Sequence, residues 1–113
     1  MKRGALAEEI AARYLQQRGL RLLHRNYRSR FGEIDLILED GDTLVFAEVR
    51  LRSRSDFGGA AASIDTRKQQ RLALTARHFL ASLPQQPPCR FDAVLLTATE
   101  AGEVVWLKDA FRV

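Results

Sequence analysis

Cysteine, lysine and long apolar runs are scarce in this sequence of 113 residues, and each scarcity excludes a class of protein. The single cysteine, Cys89, excludes an intrachain disulfide and a zinc site built from a cysteine cluster, so we expect a cytoplasmic protein. No apolar run approaches the roughly 20 residues of a membrane-spanning helix, and we therefore expect no membrane partner. The first residues carry charge and lead directly into an amphipathic segment, which is not the pattern of a signal peptide.

Lysine is rare, but positive charge is not. Of 18 basic residues only Lys2, Lys68 and Lys108 are lysine, the formal net charge is +4, and the pI is about 9.8. Arginine suits phosphate, because its planar guanidinium group donates two parallel hydrogen bonds. The arginine-rich composition therefore favours a nucleic-acid partner, although the codon bias of a GC-rich genome would give the same composition.

The hydrophobic pattern predicts one α/β domain over residues 1–113, with a mixed sheet of about five strands flanked by helices. A first helix is predicted over residues 4–18, with a stripe of Leu6, Ile10 and Tyr14 that is widened by Ala7, Ala11 and Leu15. A second helix is predicted from Thr66, with Gln69 as its capping-box partner, to Pro84. Strands are predicted over residues 20–27, 32–38, 43–50, 90–98 and 103–107, with an irregular segment over 51–63 and a turn over 99–102.

Residues 32–50 carry the signal of a β-hairpin, because two apolar segments flank an acidic, glycine-containing turn at residues 39–42. With the turn centred between Gly41 and Asp42, Asp35 faces Glu48 and Glu33 faces Arg50. The period of two places an apolar set on one face of the hairpin: Ile34, Leu36, Leu38, Val45, Ala47 and Val49.

The two facing carboxylates, Asp35 and Glu48, are the first candidate site. Like charges opposite each other destabilise a sheet, and a cation bound between them would remove that cost. Hard oxygen ligands favour Mg²⁺ or Mn²⁺ over zinc. The alternative is a solvated face on which both carboxylates serve solubility. In either case, neutralising one carboxylate in the metal-free protein would relieve repulsion.

Two further residues are candidates near this pair. Arg50 would stabilise negative charge on a phosphate in the transition state, or it would form a cross-strand salt bridge with Glu33. Glu9, on the first helix, would reach a metal from above the sheet, or it would form an exposed pair with Arg13 four residues later.

Basic residues cluster at two other places. Arg67, Lys68 and Arg71 open the second helix, where positive charge is unfavourable for the helix itself and a phosphate partner would compensate it. Small residues precede this helix at 58–63 and permit close backbone approach. Arg28 and Arg30 lie in a short loop before the hairpin, and Arg52 follows it. We expect these six residues to contact nucleic acid: Arg28, Arg30, Arg52, Arg67, Lys68 and Arg71.

Asp35 followed by Glu48-Val49-Arg50 resembles the PD-(D/E)xK nuclease signature, and the whole chain resembles the YraN family of small bacterial proteins. The resemblance rests on these segments: Gly4 with Glu8-Glu9 and Ala12, Asn26-Tyr27-Arg28, Gly32 to Ile37, Phe46 to Arg50, Lys68-Gln69 with Arg71-Leu72, and Arg90-Phe91-Asp92. The YraN family is similar to archaeal Holliday-junction resolvases, which implies a restriction-endonuclease-like fold, magnesium dependence and a homodimer. It also implies that Asp35 and Glu48 bind the metal, that Glu9 is the helix carboxylate of the site, and that Arg50 replaces the usual lysine.

Three functions follow from these observations. The first is a metal-dependent nuclease that hydrolyses phosphodiester bonds in DNA, including branched or flapped DNA. The second is a nucleic-acid-binding or partner-binding module that keeps the fold without the chemistry. The Arg50 position favours the second, because arginine cannot be deprotonated in a protein, whereas the two carboxylates favour the first. The third is a small structural adaptor with an incidental acidic face.

Overall fold

A computed structural model describes residues 3–51, 64–97 and 102–112, and the predictions for Arg52 and for residues 58–63 lie outside these ranges. The elements are α1 (Arg3–Gln17), β1 (Arg21–Ser29), β2 (Gly32–Asp40), β3 (Thr43–Leu51), α2 (Thr66–Leu80), β4 (Cys89–Leu96) and β5 (Val104–Phe111). Within the described ranges, neither helix has the length and apolar character needed to cross a membrane. The predicted α/β fold, a mixed sheet flanked by helices, is confirmed.

The five strands form a single sheet in the order β1-β2-β3-β4-β5. Strands β3 and β4 are parallel, and every other neighbouring pair is antiparallel. This arrangement follows from the connections, because β2 and β3 are joined by a two-residue turn, whereas α2 lies between β3 and β4. The turn residue Gly41 has φ +60°, a conformation that glycine adopts at little cost.

Each face of the sheet is covered by one helix. On one face, Leu36, Leu38, Val45 and Val94 pack against α1. On the other face, a second cluster joins the sheet to α2 and includes Ile37, Phe46, Phe91, Leu72, Ala76 and Phe79. Because the central strands are buried on both sides, they read as nearly continuous apolar runs in the sequence.

The helix α1 is rotated relative to the predicted stripe. Its buried residues are three alanines and one leucine: Ala7, Ala11, Ala12 and Leu15. Ile10 and Tyr14 are only partly buried at the edge of this cluster. Alanine at the contact lets the helix axis approach the sheet closely. This close packing sets a rotation of α1 that differs from the one predicted from its larger apolar residues.

The N-terminus of α2 differs from the predicted capping box by one residue. Asp65 is the N-cap, and its side chain accepts a hydrogen bond of 2.8 Å from the backbone N–H of Lys68. Gln69 instead donates its side-chain amide to the carbonyl of Ile64, at 2.8 Å. The cap therefore holds the backbone of the first turn of α2 in place.

The register of the hairpin is confirmed, because Asp40 pairs with Thr43 and Leu36 with Ala47. The assignment of Ile34 to the face of Leu36 and Leu38 is wrong. Ile34 packs with Ile37 in the α2 cluster, so the strict alternation of β2 fails next to Asp35.

A buried carboxylate ties β5 to the rest of the sheet. Asp92 is fully buried and accepts hydrogen bonds from Arg90 Nε at 3.0 Å, Trp106 Nε1 at 2.9 Å and the backbone N–H of Asp109 at 2.9 Å. Arg90 also donates to Asp40 at 2.9 Å, which connects the hairpin to this network. The role of the Arg90-Phe91-Asp92 segment is therefore structural.

We predict that Asp92→Asn destabilises the protein by about 2–4 kcal/mol, because an amide cannot accept every one of these donors and leaves a buried one unpaired. Urea unfolding measures the loss. Asp42→Asn, at the exposed hairpin turn, is the matched control and should change stability by less than about 0.5 kcal/mol. Equal stability of the two variants would contradict the structural role of Asp92.

Candidate metal and nucleic-acid site

Asp35 and Glu48 lie where the hairpin strands separate, one position beyond the pair of Leu36 and Ala47. Both side chains are buried, with exposures of 8% and 4%. Beyond the last backbone pair, the N–H of Val49 donates to Asp35 Oδ2 at 2.8 Å, so a side-chain oxygen takes the place of a backbone acceptor. The predicted juxtaposition of the two carboxylates is present.

The two carboxyl groups share a hydrogen bond. The pKa of Asp35 is raised from its ordinary 3.8 to about 9; burial is the main cause, and the hydrogen bond and the charge of Glu48 contribute to the same shift. In the metal-free protein at neutral pH, Asp35 therefore holds a proton and donates it toward Glu48. A divalent cation that binds both groups must displace this proton.

Glu48 is paired with two cations. Arg50 donates to Glu48 Oε2 at 3.3 Å, and the Lys68 ammonium lies 3.1 Å from the same oxygen. Arg50 Nε is buried and has no hydrogen-bond partner among the described residues. The alternative salt bridge between Arg50 and Glu33 is wrong, because Glu33 pairs with Arg28 at 3.0 Å.

A cleft of about 190 Å³ opens over these groups, between the N-terminal ends of α1 and α2. Glu8 of α1 lines this cleft, and its charge contributes to the raised pKa of Asp35. The structure does not bring Glu9 into the group. Glu9 forms the exposed pair with Arg13, at 3.1 Å, that the sequence offered as its alternative role.

The carboxylates could serve as the protein ligands of a Mg²⁺ or Mn²⁺ ion that also binds water and substrate. Mg²⁺ is commonly held by one or two carboxylates together with water and substrate phosphate, and Asp35 and Glu48 supply this number of protein ligands. No group of three or more metal-binding side chains occurs within residues 3–51, 64–97 and 102–112. Asp35 and Glu48 are therefore the two described residues that could hold such an ion.

Of the two basic residues predicted in the first loop, Arg28 lies in β1 and only Arg30 lies in the turn that follows it. Ser29 donates to Thr75 Oγ1 at 3.4 Å, and Thr75 donates in turn to the carbonyl of Arg71 at 2.9 Å. Arg30 lies over the ring of Phe31 at 4.9 Å, and Arg28 is exposed in its pair with Glu33. The hydrogen bond of Ser29 thus brings the turn that carries Arg30 next to α2.

Arg67 and Arg71 are exposed and four residues apart, so they share one face of α2. Like charges at this spacing disfavour the helix, and positive charge near its N-terminus adds to that cost. Lys68, also predicted to contact nucleic acid, forms a salt bridge with Glu48 in this structure. We name the exposed set Arg30, Arg67 and Arg71 the basic surface.

Sequence reasoning missed Glu8 and the contact of Lys68 with Glu48. The signal for Glu8 was the alanine stripe, since a residue that precedes Ala11 and Ala12 by three and four positions lies near the buried face of α1. No local signal connects Lys68 with Glu48, because only the packing of α2 on the sheet brings them together.

The fold and the paired carboxylates define a small α/β protein with a buried acidic site next to a basic surface. A family model described as Uncharacterised protein family UPF0102 matches residues 7–96, and the chain belongs to this family, which is the YraN family. The predicted family is thus confirmed.

Relatives share half or more of the sequence. A UPF0102 protein of Nitrosomonas europaea is 56% identical over 109 residues, which are 96% of this chain and 92% of the relative. A UPF0102 protein of Methylobacillus flagellatus is 55% identical over 105 residues, with 93% of this chain and 92% of the relative covered. A UPF0102 protein of Cupriavidus pinatubonensis is 56% identical over 110 residues, which are 96% of this chain and 84% of the relative.

We predict that Asp35→Asn removes a pH dependence of stability in metal-free buffer. Between the ordinary pKa of 3.8 and the folded pKa of about 9, the folded state holds a proton that the unfolded state has lost. The free energy of unfolding of the wild type therefore falls as pH rises, by at most about 1.4 kcal/mol per pH unit from this group. An asparagine amide donates toward Glu48 as the protonated acid does, without titrating.

Urea unfolding at pH 6 and pH 8 with EDTA measures this difference. The Asp35→Asn variant should lose less stability than the wild type between the two pH values, and Asp42→Asn should follow the wild type. Identical slopes for wild type and Asp35→Asn would show that Asp35 is ionised in the folded protein.

Glu48→Gln should behave differently from Asp35→Asn, contrary to the expectation of simple relief of repulsion. It leaves Lys68 and Arg50 without their shared anion. Both cations are about one-third exposed, so we predict a modest loss of about 1–2 kcal/mol in the same unfolding measurement. A Glu48→Gln variant as stable as the wild type would mean that these ion pairs contribute nothing.

Proposed function

We propose that this protein is a metal-dependent nuclease that hydrolyses phosphodiester bonds in DNA. The observation that carries the proposal is the pair of buried carboxyls, Asp35 and Glu48, which meet in an open cleft flanked by Arg50 and Lys68. Replacing a buried charged group by an apolar one is often neutral or stabilising, so stability alone does not account for this pair.

The two carboxylates are the protein ligands for Mg²⁺ or Mn²⁺. When bound, such an ion polarises the phosphodiester and lowers the pKa of a coordinated water. Asp35 must first release its proton, so metal binding is favoured as pH rises. Lys68 of α2 lines the cleft, so a phosphate backbone bound there would meet positive charge from this helix.

Arg50 acts through charge. Its guanidinium group remains protonated throughout the usable pH range and serves as a fixed positive group next to the reacting phosphate. Its contact with Glu48 and its buried Nε keep the side chain in the cleft. It does not act as a base.

The basic surface supplies the DNA contacts of the proposal. Arg30, Arg67 and Arg71 are exposed, and within the described ranges none of them forms a salt bridge. Such cations bind phosphate without reading base sequence. This favours recognition of backbone shape, and branched or flapped DNA are the substrates to test beside linear DNA.

The second candidate is a nucleic-acid-binding module without catalysis. It is favoured by the state of Glu48, whose charge is already compensated by Arg50 and Lys68 in the metal-free protein. In this case the basic surface would operate alone, and the carboxylates would serve only to hold α2 to the sheet.

We predict that wild-type protein with Mg²⁺ or Mn²⁺ cleaves DNA and that Asp35→Asn abolishes the cleavage. Arg50→Lys should retain the activity, because it keeps the positive charge, whereas Arg50→Met should lose it. The assay compares branched, flapped and linear DNA, and Asp35→Asn prepared in parallel controls for contaminating nucleases. If the wild type binds DNA but no variant or substrate gives cleavage, the binding module is the better account.

We also predict that DNA binding weakens steeply with salt. Replacing Arg67 and Arg71 by Gln should reduce the slope of log affinity against log salt by about 2, since each phosphate contact contributes about 0.9. Fluorescence anisotropy of labelled DNA measures the affinity. The control replaces Arg13 and Arg112 by Gln, which removes the same total charge from the protein. These two arginines are paired with Glu9 and Asp109. An equal slope change in both double variants would place the DNA contacts elsewhere.

A further inference from the structure

Two cations are paired with the same oxygen of Glu48. Arg50 and Lys68 both approach Oε2, at 3.3 and 3.1 Å, and the Glu48 side chain is only 4% exposed. A metal ion bound at Oε2 would have to displace one of these two cations.

The two cations differ in how firmly they are held. Arg50 follows Glu48 by two residues on β3, and its Nε is enclosed by the protein. The two side chains are similarly exposed, but the Lys68 ammonium stands at the end of a flexible four-carbon stem. Lys68 is the cation that can leave Glu48 without a rearrangement of the sheet.

The backbone of Lys68, in contrast, is fixed. Its N–H donates to the N-cap Asp65 at 2.8 Å, so the first turn of α2 stays in place when the ammonium moves. Since α2 has no acidic residue in its first turn, and positive charge there is unfavourable for the helix, Glu48 is the compensating anion for Lys68 within the described residues.

We propose that Lys68 is a built-in competitor of the divalent metal at Glu48. In the metal-free protein its ammonium occupies Glu48 Oε2, and metal binding displaces it toward the phosphate backbone of the nucleic acid. This inference rests on the proposed function, because it requires Asp35 and Glu48 to bind metal. It makes Lys68 a positioning residue whose partner depends on the metal.

The displacement couples metal and DNA. A metal ion that takes Glu48 releases one cation for a phosphate contact, and DNA that attracts Lys68 frees Glu48 for metal. Reciprocity of binding free energies requires that each ligand strengthens the other by the same factor.

The first test measures Mn²⁺ binding without DNA, at one pH, from the loss of the electron paramagnetic resonance signal of free Mn²⁺. It compares wild type, Lys68→Met and Arg67→Met. Arg67 is the matched control, because it lies in the same turn and its loss changes the net charge equally. We expect the dissociation constant of Lys68→Met to be roughly three- to tenfold lower than that of the wild type, and that of Arg67→Met to be nearly unchanged.

The second test measures affinity for a phosphorothioate-linked DNA duplex, by fluorescence anisotropy, in EDTA and in Mn²⁺. In EDTA, Lys68→Met should bind as the wild type does, because Lys68 is held by Glu48, whereas Arg67→Met should bind more weakly. In Mn²⁺, both variants should bind more weakly than the wild type. A merely structural lysine would not produce this dependence on metal.

The outcomes separate the inference from the proposed function. If all three proteins bind Mn²⁺ equally, or if Lys68→Met weakens DNA binding equally with and without metal, the inference is overturned while the metal site stands. Mn²⁺ binding by Lys68→Met alone would support it strongly, because Lys68 would then mask the site. If no variant binds Mn²⁺, the metal site itself fails, and the inference fails with it.

Discussion

The burial of the Glu48 carboxylate is the constraint on which the rest of the site depends. A carboxylate that is 4% exposed needs nearby positive charge or a proton donor, and Glu48 has both. Lys68 connects it to α2, Arg50 compensates it within β3, and the acid form of Asp35 donates toward it. One side chain thus joins the hairpin to α2, the helix that carries Arg67 and Arg71 of the basic surface.

The sequence was sufficient to locate this pair because the hairpin is a local structure. A two-residue turn and alternating apolar residues determine which residues face each other over a few positions, and the register of β2 and β3 follows. The same pattern misplaced Ile34, which packs with the α2 cluster. Alternation fails where the strands separate, and this is the place where Val49 donates to the Asp35 side chain.

The remaining site residues depend on packing between distant segments, which periodicity does not encode. The rotation of α1 is set by its alanines, and a change of one residue in that rotation replaces Glu9 by Glu8 at the cleft. The contact of Lys68 with Glu48 depends on how α2 docks on the sheet and on its cap at Asp65. The sequence predicted Lys68 as a phosphate contact because its charge is visible in the sequence, whereas its anion is not.

The two candidate functions require different charge states of the carboxylates. A module that only binds nucleic acid needs the exposed arginines of the basic surface, and negative charge beside a phosphate would weaken its binding. Asp35 avoids part of this repulsion by holding a proton, and Glu48 avoids it through Lys68 and Arg50. The metal-free protein is therefore a compensated state in which acidic groups are hidden from an anionic partner. In the proposed nuclease, a divalent cation held by Asp35 and Glu48 would reverse this compensation, because it would replace the proton of Asp35 and the ammonium of Lys68 and would supply positive charge for a phosphate.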